Sequence, residues 1–83
     1  MKLYKFFKPD CKPCSTLAKV MDTLNLPEDL EIIPLDVSVE ENKKLAYSNG
    51  INQTPSLMYE DGRKMVGFRT RPELLEFLNL KGV

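Results

Sequence analysis

The chain opens on a largely apolar and aromatic stretch. Residues 2–7 show little alternation, as in a strand covered on both faces of a sheet, and Pro9 ends it. Over residues 13–25 the pattern changes. Leu17, Val20, Met21 and Leu24 recur at i, i+3, i+4 and i+7, the spacing of an amphipathic helix, and Pro27 stops it. Residues 30–37 read as a second strand. Pro34 inside it cannot donate to a sheet ladder, which places that strand at an edge. Ser38-Val39-Glu40-Glu41 is a capping-box pattern with Ser38 as N-cap. It predicts a helix with Leu45 and Ala46 on its apolar side, closed by the left-handed C-cap signal Asn49-Gly50. Residues 56–59 and 64–66 are short strands on either side of Asp61-Gly62, a hairpin-turn signal. Thr70-Arg71-Pro72-Glu73 is a second capping-box pattern, and Leu74, Leu75, Phe77 and Leu78 supply the buried stripe of a last helix.

The element order is therefore βαβαββα: a parallel β-α-β unit, then a hairpin and a helix. It predicts an α/β chain with a four-stranded mixed sheet and helices on both faces. No linker, repeat or low-complexity tract interrupts residues 1–83, so a single domain is expected.

Composition narrows the function classes. Hydrophobic content of 42% and charged content of 29% are ordinary globular values and exclude wholesale disorder. Twelve basic and twelve acidic side chains cancel, so no basic excess points to nucleic acid. No apolar run approaches the ~20 residues that span a membrane. The first residues lack the apolar core and cleavage site of a signal peptide, which sets the expected compartment as the cytoplasm. There a paired C-x-x-C is catalytic or metal-binding rather than structural.

Cys11 and Cys14, the only cysteines, stand together where the first strand gives way to the first helix. Two cysteines at this spacing close a small ring reversibly and pass two electrons to a disulfide in another molecule. The attacking species is a thiolate, which a helix N-terminus favours. The loop is too short for the bridge to serve mainly as a staple. Metal binding is the alternative. Such sites usually take about four ligands, and the chain has no His, so one would need a second chain or carboxylates such as Asp10. In the redox reading Cys11, at the helix mouth, attacks, and Cys14, one turn in and more buried, resolves the mixed disulfide. Lys8 and Lys12 are either solvated surface charges or cations that favour the Cys11 thiolate against Asp10. Arg69 and Arg71 would extend a basic rim suited to acidic partners. Lys5, inside a strand, either snorkels to an edge or lies under the disulfide.

This order, with Cys11-Lys12-Pro13-Cys14 at the first strand-to-helix junction, resembles the thioredoxin superfamily over essentially the whole chain, Lys12 replacing the Gly of C-G-P-C. Ile51-Asn52-Gln53-Thr54-Pro55-Ser56-Leu57 resembles the thioredoxin segment whose proline is cis and faces the disulfide. The resemblance implies a cis Pro55 and a Thr54 backbone free to pair with an extended substrate. Val66-Gly67-Phe68-Arg69-Thr70 resembles the stretch whose glycine lines the substrate groove, which implies substrate-binding roles for Gly67 and Phe68.

Departures from the pattern are informative. The extra strand and helix with which thioredoxins begin have no counterpart, which implies a minimal version of the fold, closer in size to glutaredoxin. Asp10 stands where an aromatic residue is usual, Lys5 where many thioredoxins bury an acid, and there is no Trp. The first helix lacks the usual internal proline. Phe7-Lys8-Pro9-Asp10-Cys11 is similar instead to the K-P-x-C lead-in of glutaredoxins and of glutaredoxin-like reductants for ribonucleotide reductase, where the lysine helps to hold glutathione. The glutaredoxin Gly-Gly-acid is replaced by Gly67-Phe68-Arg69.

Taken together, the resemblance implies a monomeric protein-disulfide reductase with no bound cofactor or metal. Its substrates would be disulfide-containing proteins, ribonucleotide reductase among them, and a flavoprotein thioredoxin reductase would recharge it. The alternatives are a glutaredoxin-like protein recharged by glutathione and a non-catalytic adaptor built on the same fold. Retention of both cysteines, Pro13 and Thr54-Pro55 argues against the adaptor.

Overall fold

The computed structural model describes residues 1–79; the expected domain, 1–83, extends beyond them. Its inner strand β1 (Lys2–Phe7) pairs in parallel with β2 (Glu31–Asp36) and antiparallel with β3 (Ser56–Tyr59), which pairs in turn with β4 (Lys64–Val66). Helices α1 (Lys12–Asp22), α2 (Glu40–Ser48) and α3 (Arg71–Phe77) complete the order, and the sheet runs β2-β1-β3-β4. Strand β2, with Pro34, is indeed an edge.

The near absence of alternation in β1 has its cause in two apolar layers. Leu3 packs with Leu17 and Met21 of α1, Leu57 and Tyr59 of β3, and Leu74 of α3. Phe6, on the other face, packs with Ala46, Ile51 and Met58 under α2. Strand β3 is buried at every position because it too is covered on both sides.

The helix termini follow local chemistry, with two departures from the sequence pattern. Helix α1 begins at Lys12 and ends at Asp22, not at residues 13 and 25. Thr23 donates both its N–H (3.0 Å) and its hydroxyl (2.6 Å) to the Val20 carbonyl, tightening the last turn and stopping the ladder. Leu24 and Leu26 still pack on the core from the loop. Ser38 does not cap α2. Its N–H and hydroxyl both go to the Asp36 carboxylate (2.9 and 2.7 Å), so the N-cap falls to Val39, which has no side-chain cap bond. An aspartate two residues upstream outcompetes the helix for the serine. Leu45, expected on the apolar side, is 40% exposed, and Ala46 alone of α2 is buried. Thr70 does cap α3, accepting from the Glu73 N–H at 3.4 Å. At the hairpin Gly62 has φ +99°, and the Arg63 N–H donates to the Asp61 carboxylate at 3.0 Å.

Leu17 is fully buried between helix and sheet. Leu17→Ala should therefore lower unfolding stability by about 2–5 kcal/mol, whereas Leu45→Ala should change it by under about 0.5 kcal/mol. Denaturant unfolding of the two variants measures the contrast.

Candidate active site

Strand β1 delivers the chain to this site through a single unusual backbone turn. Asp10 has φ +57°, a left-handed conformation that aspartate tolerates better than bulkier residues. The turn sets Cys11 as the N-cap of α1, with extended backbone (φ −110°, ψ 107°). Its sulfur accepts the Cys14 N–H at 3.2 Å, so a cysteine does the capping usually done by Ser, Thr, Asp or Asn. Pro13 costs the helix no bond in this first turn, where N–H groups have no intrahelical partner anyway.

Cys11 and Cys14 are joined as a disulfide, their Cα atoms 5.2 Å apart. Cys11 is half-buried and Cys14 buried, while Lys12 and Pro13 between them are exposed. No acidic residue lies in the first turn of the helix, whose positive end faces the Cys11 sulfur, and Asp10 just before Cys11 is the adjacent acid. On its other side Cys11 Sγ lies 3.8 Å from the Thr54 hydroxyl, which donates in this oxidised state because the sulfur carries no proton. The Thr54–Pro55 bond is cis, and Pro55 is fully buried.

One buried hydroxyl ties the groove together. Ser56, with no solvent exposure, donates to the Gln53 carbonyl (2.6 Å) and accepts the Gly67 N–H (3.1 Å). It thereby joins the loop carrying Thr54 and Pro55 to the turn between β4 and α3. Gly67 has φ +82°, and the Gln53 amide lies over it: a Cβ there would meet Gln53 Cδ and Nε2 at 3.1 Å. Sequence reasoning missed Ser56 and Gln53. The only signal for Ser56 was a polar residue opening the otherwise apolar strand Ser56–Tyr59.

The remaining candidates are spread more widely. Lys8 is exposed and, with Thr54, lines a pocket of about 270 Å³. Lys5 is half-buried and sits opposite Leu57, on the sheet face that carries α1 and α3. Because β1 is an inner strand, Lys5 reaches no edge within its own strand. Phe68 is half-buried against the α1/α3 core, so it lies partly in the packing. Arg69 and Arg71 are exposed. Among the described residues no group of three or more His, Cys, Asp or Glu is placed to hold a metal ion. Nor is any described helix long and apolar enough to cross a membrane.

Ser56→Ala removes the bridge and leaves the Gly67 N–H and the Gln53 carbonyl without it, a loss of about 1–3 kcal/mol. Its functional effect should be a several-fold rise in KM for a protein disulfide, with little change in the alkylation rate of reduced Cys11. Gly67→Ala, strained at φ +82° and set against the Gln53 amide, should raise KM likewise. Wild-type KM in both variants would show that the bridge does not position the groove.

Comparison with known proteins agrees with this geometry. No family model matches the chain. It is 32% identical over 83 residues to a thioredoxin from Bacillus subtilis, covering 93% of this chain and 78% of that protein. It is 31% identical to a thioredoxin from Staphylococcus epidermidis, with 95% and 80% covered. Among solved structures, a thioredoxin variant from Halobacterium salinarum superposes with a TM-score of 0.71 at 29% identity, covering 94% of this chain and 71% of that one. A crystal structure of a thioredoxin-like protein, covered to 96%, superposes with 95% of this chain at a TM-score of 0.72; at 22% identity it speaks for the fold alone. With a redox-type disulfide at a helix mouth and relatives of this kind, the chain belongs to the thioredoxin family.

Proposed function

We propose that this thiol-disulfide oxidoreductase reduces protein disulfides, with Cys11 as attacking and Cys14 as resolving residue. The observation that carries the assignment is the asymmetry of the two sulfurs. Cys11 Sγ is partly accessible, receives the Cys14 N–H and touches the Thr54 hydroxyl, whereas Cys14 is buried beneath it. Both donors point at the first sulfur, which supports a thiolate there.

In this reading the Cys11 thiolate forms a bond to one sulfur of the substrate disulfide. The substrate S–S bond breaks, and its other sulfur leaves as a thiolate that takes up a proton. Cys14 then loses its proton and bonds to Cys11 Sγ, displacing the first substrate sulfur, which is protonated in turn. The substrate gains two electrons and two protons, and the protein ends as the Cys11–Cys14 disulfide. The substrate segment lies extended along Thr54, with Gly67 forming the opposite wall. A flavoprotein thioredoxin reductase restores the dithiol, and the reducing cytoplasm is the working compartment. The absence of Gly-Gly-acid at Gly67-Phe68-Arg69 favours that donor over glutathione.

Cys11→Ser should abolish disulfide reduction. Cys14→Ser should instead accumulate mixed disulfides with protein partners, released by excess dithiol and identified by mass spectrometry. Turnover supported by glutathione and glutathione reductase, but not by thioredoxin reductase, would reverse the choice of donor. Preferential alkylation of Cys14 by limiting iodoacetamide would reverse the roles.

Lys12→Gly removes the cation one residue from Cys11 and leaves the fold intact, because the side chain is exposed. Thiolate absorbance of the reduced protein should then appear at higher pH than in the wild type. An unshifted titration would leave Lys12 without an electrostatic role.

A further inference from the structure

Beside the disulfide, on the side of the sheet covered by α2, lies the pocket that shares Lys8 and Thr54 with the site. We propose that this pocket is a carboxylate subsite, taking the side chain of an acidic residue that flanks the disulfide of a protein substrate. The proposal rests on the reductase reading and adds a substrate class to it.

Charge is the first argument. Lys8, from the loop after β1, and Lys43, from α2, both line the pocket, and no acidic side chain does. The Lys43 ammonium lies 5.8 Å from the centre of the Tyr47 ring, a cation–π contact that keeps it near the rim. The Asp36 carboxylate, next in sequence to Val37, is not among the lining groups and accepts the Ser38 N–H and hydroxyl at one oxygen. In a chain with no net charge, two cations without a lining acid form a local positive field.

Shape is the second. Val37, Ala46 and Ile51 give the pocket an apolar side suited to side-chain methylenes. Its volume of about 270 Å³ falls below the ~300–1,000 Å³ of sites for drug-sized ligands, nearer the scale of one or two side chains. Register is the third. Thr54 touches Cys11 Sγ and also lines the pocket, so an extended segment lying along Thr54 places an adjacent side chain at its mouth.

The experiment compares two disulfide-bonded peptides that differ only by Glu or Gln beside the cysteine, with wild type and Lys43→Glu, at low and high salt. The wild type should favour the Glu peptide about fivefold in kcat/KM, the scale of a partly exposed ion pair. Lys43→Glu should abolish or invert that preference, and high salt should erase it. A wild-type ratio of one, or a ratio untouched by Lys43→Glu, overturns the subsite. If glutathione disulfide alone shows the Lys43 dependence, the assignment to a protein segment is overturned. Failure of the wild type to reduce even the Gln peptide would instead strike the reductase reading itself.

Discussion

Burial of β1 on both faces is the constraint from which the rest of this structure follows. Leu3 belongs to the layer under α1 and α3, and Phe6 to the layer under α2. Strand side chains alternate, so a slip of one residue would exchange the two layers and leave both helical faces without partners. The register with β2 and β3 is thereby fixed, and with it the points where loops leave the sheet. The Phe7 carbonyl accepts the Val37 N–H at 2.8 Å, so the loops after β1 and after β2 depart side by side. That is why Lys8 and Val37 line one pocket, and why Cys11 meets a loop that arrives from residue 54.

At the sulfur several electrostatic contributions coexist, and their sizes rank them. A hydrogen bond to a charged group is worth about 1.5–3 kcal/mol. A helix end contributes about 0.3–1 kcal/mol, and an exposed cation such as Lys8 or Lys12 at most about 1 kcal/mol. The directed Cys14 N–H therefore outweighs the surface charges, and the backbone of the first turn is the main stabiliser of a negative Cys11. In the proposed mechanism any contribution of the two lysines is therefore the smaller one.

Much of this was legible in the sequence, for local reasons. Pro34 announces an edge strand because it lacks a donor, Asp61-Gly62 announces a hairpin because of the backbone it permits, and Cys11-Lys12-Pro13-Cys14 announces its chemistry by spacing. The failures have a common cause as well. Ser38 looked like a helix cap until Asp36 competed for it. Leu45 and Ala46 both read as apolar-side positions of α2, and only Ala46 is buried. Ser56 and Gln53 carry no such signature because their bridge closes only when the β3–β4 hairpin brings Gly67 back against Ser56. The pocket is likewise assembled from three separate segments, and no window of sequence contains it.

The Ser56 bridge shows why such non-local contacts matter most in a chain this small. The walls of the groove at Gln53-Thr54 and Gly67 are half-buried or exposed, with buried Ile51 and Pro55 as the apolar anchors on the Thr54 side. Total stability in a small domain is of order 5–15 kcal/mol, and none of it keeps a loop fixed unless some contact connects that loop to the core. Ser56 sits inside the sheet, on a strand anchored between β1 and β4, and reaches both walls at once. A hydroxyl is the smallest group that both donates and accepts. Alanine would remove the side-chain link between the walls, and a larger residue would have to displace packed neighbours. The rigidity of the core therefore reaches the groove through buried Pro55 and the β3–β4 pairing, and the Ser56 hydroxyl couples the two walls to each other.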